Sequence, residues 1–166
     1  MVLYLAIDTS GSMEESDKRL IARSIVLFIA QYCRLGYAEA ELRLLAAGVA
    51  PRPVEWNAED EYPESLLDCG GTIDMQVLAD QLPPDDGRLI LVSDGSWATS
   101  ERRQFDALVN SRPVNSVRIV KVGSEPVCNL QAFEAREMVF DAENILEALD
   151  GWLEQVPCSQ EEADEW

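Results

Sequence analysis

Two apolar runs along the chain stop at an aspartate. Val2 to Ile7 is almost wholly apolar, with β-branched and aromatic members, and it breaks at Asp8; Leu89 to Val92 repeats the design and breaks at Ser93-Asp94-Gly95. Short apolar runs without alternation read as strands of a parallel sheet covered on both faces. Leu42–Gly48 and Ser116–Val122 add two more strands, Met138–Phe140 a short one, and Pro53–Trp56 one that its proline places at or near an edge. Between the strands the spacing changes to three and four. Leu20, Ile21, Ser24, Ile25, Leu27, Phe28 and Tyr32 mark an amphipathic helix over Asp17–Leu35, ended by Gly36. Further helices are predicted from about Ile73 to Leu82, closed by Pro83 and Pro84, over Ser100–Val109, and from Asp141 or Ala142 to Leu153. Alternating strands and helices predict an α/β fold: a doubly wound, mostly parallel central sheet of about six strands with helices on both faces. In such sheets ligands bind at the carboxyl ends of the strands, which directs attention to Asp8, Thr72 and Asp94.

At 166 residues the chain suits one domain, assigned to 1–156, with an acidic tail at 157–166 expected to be flexible. An apolar share of 47% is enough for a full core without staples. Acidic residues outnumber basic ones 31 to 13, and a net charge of −18 repels phosphate backbones, so nucleic acid is a poor partner. The same field favours cations and basic protein surfaces. Cys33, Cys69, Cys128 and Cys158 lack the close spacings of zinc or redox motifs and read as incidental thiols. No run reaches the length of a membrane span, and no basic leader precedes the first apolar run, so a cytoplasmic location is expected.

Asp8-Thr9-Ser10-Gly11-Ser12 sets a carboxylate and two hydroxyls at every second position just beyond a strand, an arrangement that can grip a small hard cation. The bland reading of Asp8, Ser10 and Thr72 is helix capping. Taken together, Asp8-Thr9-Ser10-Gly11-Ser12-Met13, Gly71-Thr72 and Ser93-Asp94-Gly95 resemble the metal-ion-dependent adhesion site of von Willebrand factor A domains of the stand-alone bacterial type. The order of strands and helices from residue 2 to about 153 resembles that fold as well. The resemblance implies a metal site of Asp8, Ser10, Ser12, Thr72 and Asp94. Ser10 and Ser12 would bind Mg²⁺ directly, Thr72 directly or through water, and Asp8 and Asp94 chiefly through water; Mn²⁺ or Ca²⁺ could substitute. Neutral hydroxyls leave most of the ion's charge uncancelled, so the open position would take a Glu or Asp carboxylate from a partner protein. MoxR-type AAA ATPases, or components of stress and conflict systems, are the partners that the resemblance suggests.

Met13 and Trp97 flank the two aspartate loops and are candidate partner contacts, the alternative for Trp97 being a ring packed under its loop. An enzyme is not expected. A haloacid dehalogenase-like phosphohydrolase would need a second Asp where Ser10 stands, and the chain has no His to act as a base. A scaffold in which the metal only rigidifies the loops is the other alternative.

Overall fold

The structure, a computed structural model, describes residues 1–83 and 87–154. Its strands are β1 (Val2–Asp8), β2 (Glu41–Ala47), β3 (Arg52–Val54), β4 (Arg88–Ser93), β5 (Val117–Lys121) and β6 (Val139–Asp141), joined in one sheet of order β3-β2-β1-β4-β5-β6. All neighbours run parallel except β3, which pairs antiparallel with β2 at the edge, where Pro53 costs the sheet least. β1 lies between β2 on one side and β4 on the other, so the winding reverses between β1 and β4. That reversal opens the crevice at their carboxyl ends.

Side chains alternate across the sheet, and the two faces fill separate layers. Leu3, Leu5 and Ile7 of β1 enter the layer with α1 (Lys18–Arg34) and α5 (Ile145–Leu149). Tyr4 and Ala6 enter the opposite layer with α2 (Met75–Asp80) and α3 (Thr99–Asn110), together with Phe133 of the short α4 (Gln131–Glu134). The doubly wound architecture is therefore as the alternation of elements predicts. No described helix is long and apolar enough to cross a membrane.

Three details differ from expectation. The first helix exists, but its core face is Ala22, Ile25, Val26, Ile29 and Ala30, while Leu20, Ile21 and Phe28 remain more than a third exposed. The helix is amphipathic, but its apolar arc is wider than the stripe it buries, so Leu20, Ile21 and Phe28 fall at its edge or beyond. Ser16 and Asp17, just before the helix, are left-handed, each at φ 53°. The second helix starts at Met75 rather than Ile73, because Asp74 is its N-cap and accepts the Val77 N–H at 3.0 Å. The last helix stops at Leu149, where Asp150 is extended and Gly151 turns left-handed, yet Trp152 and Leu153 still fold back into the core. The Arg118 guanidinium donates to the carbonyls of Glu147 and Ala148 and lies between the Phe140 and Trp152 rings, which pins that end. The tail expectation for 157–166, and Cys158 with it, falls outside the described residues.

Candidate functional site

The register of the central strands builds the site. Ile7 pairs with Val92, so the next residues, Asp8 and Ser93, stand side by side on adjacent strands. Both follow the Tyr4, Ala6 and Leu89, Leu91 alternation, so their side chains share one face. Ser93 Oγ donates to Asp8 Oδ2, and Asp8 Oδ1 accepts the Ser10 N–H at 2.8 Å. Ser93 Oγ in turn accepts from the Gly95 N–H and from Trp97 Nε1, each at 3.0 Å. Every polar atom around the buried Asp8 carboxylate thus has a defined direction.

The second loop repeats the first. Asp94 Oδ1 accepts the Ser96 N–H at 3.0 Å, the same bond to the residue two ahead that Asp8 makes with Ser10. It also accepts from Ser12 Oγ at 3.1 Å, while Ser12 and Ser10 hydroxyls lie 3.3 Å apart. Asp94 Oδ2 faces away toward Lys18 Nζ, 2.8 Å distant. Asp8, Ser10, Ser12 and Asp94 are thereby brought into one chain of contacts.

Thr72 arrives on a third loop. The Gly11 N–H donates to the Gly71 carbonyl at 3.0 Å and the Gly70 N–H to the Thr9 carbonyl at 2.9 Å, so the two loops run against each other. Gly71 is left-handed at φ 66°, a conformation in which any side chain would be strained. Glu101 of α3 holds the far side, accepting the Ile73 N–H at 3.2 Å and the Ala98 N–H. Thr72 itself is exposed and makes no hydrogen bond to the other four residues. It is not the cap of α2, since Asp74 fills that role, and Ser10 precedes its helical turn without a side-chain cap bond. Capping therefore does not account for these residues.

The two carboxylates differ in charge environment. Burial pushes Asp8 up from 3.8 to about 6; hydrogen bonds from Ser10 and Ser93 offset part of that, and nearby Asp94 adds to it. Burial also opposes the charge on Asp94, but hydrogen bonds from Lys18, the Ser96 N–H and Ser12, with the charge of Lys18, outweigh it and hold Asp94 below its ordinary value. Asp94 is paired with the cation of Lys18, whereas Asp8 is buried with hydrogen bonds but no cationic partner beside it among the described residues.

The donors suit a hard cation. They are all oxygens, and among the described residues no cluster of three or more His, Cys, Asp or Glu could hold a metal by itself. Any ion here would rely on the hydroxyls beside the two carboxylates, which favours Mg²⁺-type coordination over zinc. A buried carboxylate that resists ionisation is also the group a bound cation would relieve.

Met13 and Trp97 do not serve as surface contacts. Met13 is fully buried, packed in the layer beneath α1, and Trp97 is 5% exposed, its ring tilted against Phe105 and edge-on to Phe133 at centroid distances of 5.2 and 6.4 Å. An apolar side chain next to a polar loop is drawn under it, and the indole N–H finds Ser93. Three residues support the site in roles that the sequence does not show, although Ser93 lies within the second aspartate motif. Ser93 could have been found by aligning the two strands that end in Asp; Lys18 and Glu101 carry no comparable signal. Beside the loops, a groove of about 740 Å³ runs between α1 and the segment after β5, floored by Ile21, Ile25 and Phe28 and reaching Asp94.

No protein-family model and no curated protein matches the sequence. Solved structures do match. A von Willebrand factor type A protein from Catenulispora acidiphila is similar at 17% identity and a TM-score of 0.57, over 92% of this chain and 42% of that one. An aerotolerance-related membrane protein from Bacteroides fragilis matches at 14% identity and a TM-score of 0.51, over 74% of this chain and 68% of that one. BatB from Bacteroides thetaiotaomicron matches at 13% and 0.50, over 73% and 65%. With the sheet order and both helical layers in place, the chain has the Rossmann-like fold of von Willebrand factor type A domains.

Proposed function

We propose that this domain is a metal-dependent protein-recognition module rather than an enzyme. Asp8, Ser10, Ser12, Thr72 and Asp94 would hold Mg²⁺, and a Glu or Asp carboxylate of a partner would complete its coordination. The observation that carries this reading is the convergence of Asp8, Ser10, Ser12 and Asp94 from two strand ends, with a buried carboxylate at its base that its hydrogen bonds only partly offset. The hydroxyls supply neutral donors, so the bound ion would keep charge for an incoming anion. Asp8 and Asp94 would orient its water ligands. The partner would add apolar side chains to the groove over Ile21 and Phe28 and basic or neutral ones against Glu15, Glu125 and Glu143 on its rim. A MoxR-type AAA ATPase would be one candidate for this partner.

A panel of short peptides, each with one Glu among neutral or basic residues and each paired with its Gln counterpart, tests the reading by fluorescence anisotropy. Binding should need Mg²⁺ and should be lost with EDTA and with the Gln peptide. Binding that ignores both would leave recognition independent of the metal, as in a scaffold whose metal only rigidifies the loops.

A further inference from the structure

The chain contains only two lysines, and both line the groove beside the candidate metal loops. Lys121 pairs with Asp141 at 3.2 Å, at the far side. Lys18 reaches the site itself. Its Nζ lies 2.8 Å from Asp94 Oδ2, its side chain is 17% exposed, and its stem passes over Gly123, where a Cβ would stand 3.3 Å from Lys18 Cε. The left-handed pair Ser16 and Asp17 turns the chain so that Lys18 opens α1 on this side.

We infer that Lys18 is a fixed counter-charge of the metal centre, a positioning residue that makes the loaded site prefer an anion. This rests on the metal-dependent reading above. Even acting through water, the charges of Asp8 and Asp94 would weaken the field that the ion offers a partner's acid; Lys18, paired with Asp94, offsets part of that. By occupying Asp94 Oδ2 it also keeps Oδ1 turned to Ser12 and prevents Asp94 from swinging in to close the open coordination position. The same charge opposes the metal. Lys18 therefore trades metal affinity for carboxylate affinity, and the two should move in opposite directions when it is replaced.

The test compares wild type, Lys18→Met and Lys18→Arg, with circular dichroism confirming the fold. Isothermal titration with Mg²⁺ should show Lys18→Met binding the ion about tenfold more tightly, as expected for removing a positive charge near a divalent one in a partly exposed site. At saturating Mg²⁺, a capped Gly-Glu-Gly peptide followed by NMR shifts should bind Lys18→Met several-fold more weakly, while Lys18→Arg stays near wild type in both titrations. Tighter metal with unchanged peptide affinity would mean that Lys18 only fills an empty metal position, and overturns the inference. So would weaker metal binding, or an Arg variant that behaves as Met does. Failure of wild type to bind Mg²⁺ at all would instead remove the metal-dependent reading on which it rests.

Discussion

Replacing Asp8 by Asn should stabilise the metal-free protein while abolishing its response to Mg²⁺. The folded value of Asp8 is about 6 against an ordinary 3.8, so the native state holds this proton more tightly than the unfolded chain. Its contribution to stability is greatest below 3.8 and is lost as the pH rises through 6, and ionising it above that range costs roughly 3 kcal/mol. Asn keeps the acceptor for the Ser10 N–H but sets an amide N–H against Ser93, whose hydroxyl loses its acceptor, a loss of about 1 kcal/mol. The balance at pH 7.5 is a gain of about 1–2 kcal/mol, or roughly 3–6 °C in Tm for a chain of this size. Differential scanning fluorimetry in EDTA and in 10 mM Mg²⁺ reads both halves: wild type should rise with the ion and Asp8→Asn should start higher and stay there. A variant that melts well below wild type in EDTA, or that gains as much from Mg²⁺, would refute the view of Asp8 as a carboxylate held ready for a cation.

The remaining predictions concern pH and the supporting loops. Because Asp8 must be ionised to meet the ion and titrates near 6, Mg²⁺ affinity measured by calorimetry should fall about tenfold between pH 7 and pH 5; a flat profile would remove Asp8 from the site. Thr72 is exposed and caps nothing, so Thr72→Ala should change stability by no more than about 0.5 kcal/mol in a urea melt while weakening Mg²⁺ several-fold. Equal affinity would take Thr72 out of the donor set. Trp97→Ala should cost about 3–5 kcal/mol, since the ring packs against the Phe105–Phe133 pair and its N–H is used by Ser93; a loss below about 1 kcal/mol would show that the ring is not part of the core.

Much of this was legible in the sequence because the buried parallel strands leave uninterrupted apolar runs, and both runs that carry the site end in Asp. The proline in Arg52–Val54 likewise announced an edge. What stayed hidden depends on distance in the chain. Ser93 joins Asp8 across 85 positions and Lys18 joins Asp94 across 76, and neither pairing leaves a local period. Glu101 looks like an ordinary acidic residue in a first helical turn until its carboxylate is seen holding the Thr72 loop. Met13 and Trp97 were misjudged for the opposite reason: adjacency to a polar loop in sequence says nothing about which side of the loop a ring takes. In α1 the apolar arc is wider than the buried stripe, so its core residues were not fixed by spacing.

The most direct test of the account is an isothermal titration of Mg²⁺ into wild type beside Asp8→Ala and Ser12→Ala, each shown folded by circular dichroism. One ion should bind wild type and neither variant. Folded variants that bind as wild type does, or a wild type that takes up no Mg²⁺, would contradict a metal centre built on these two loops.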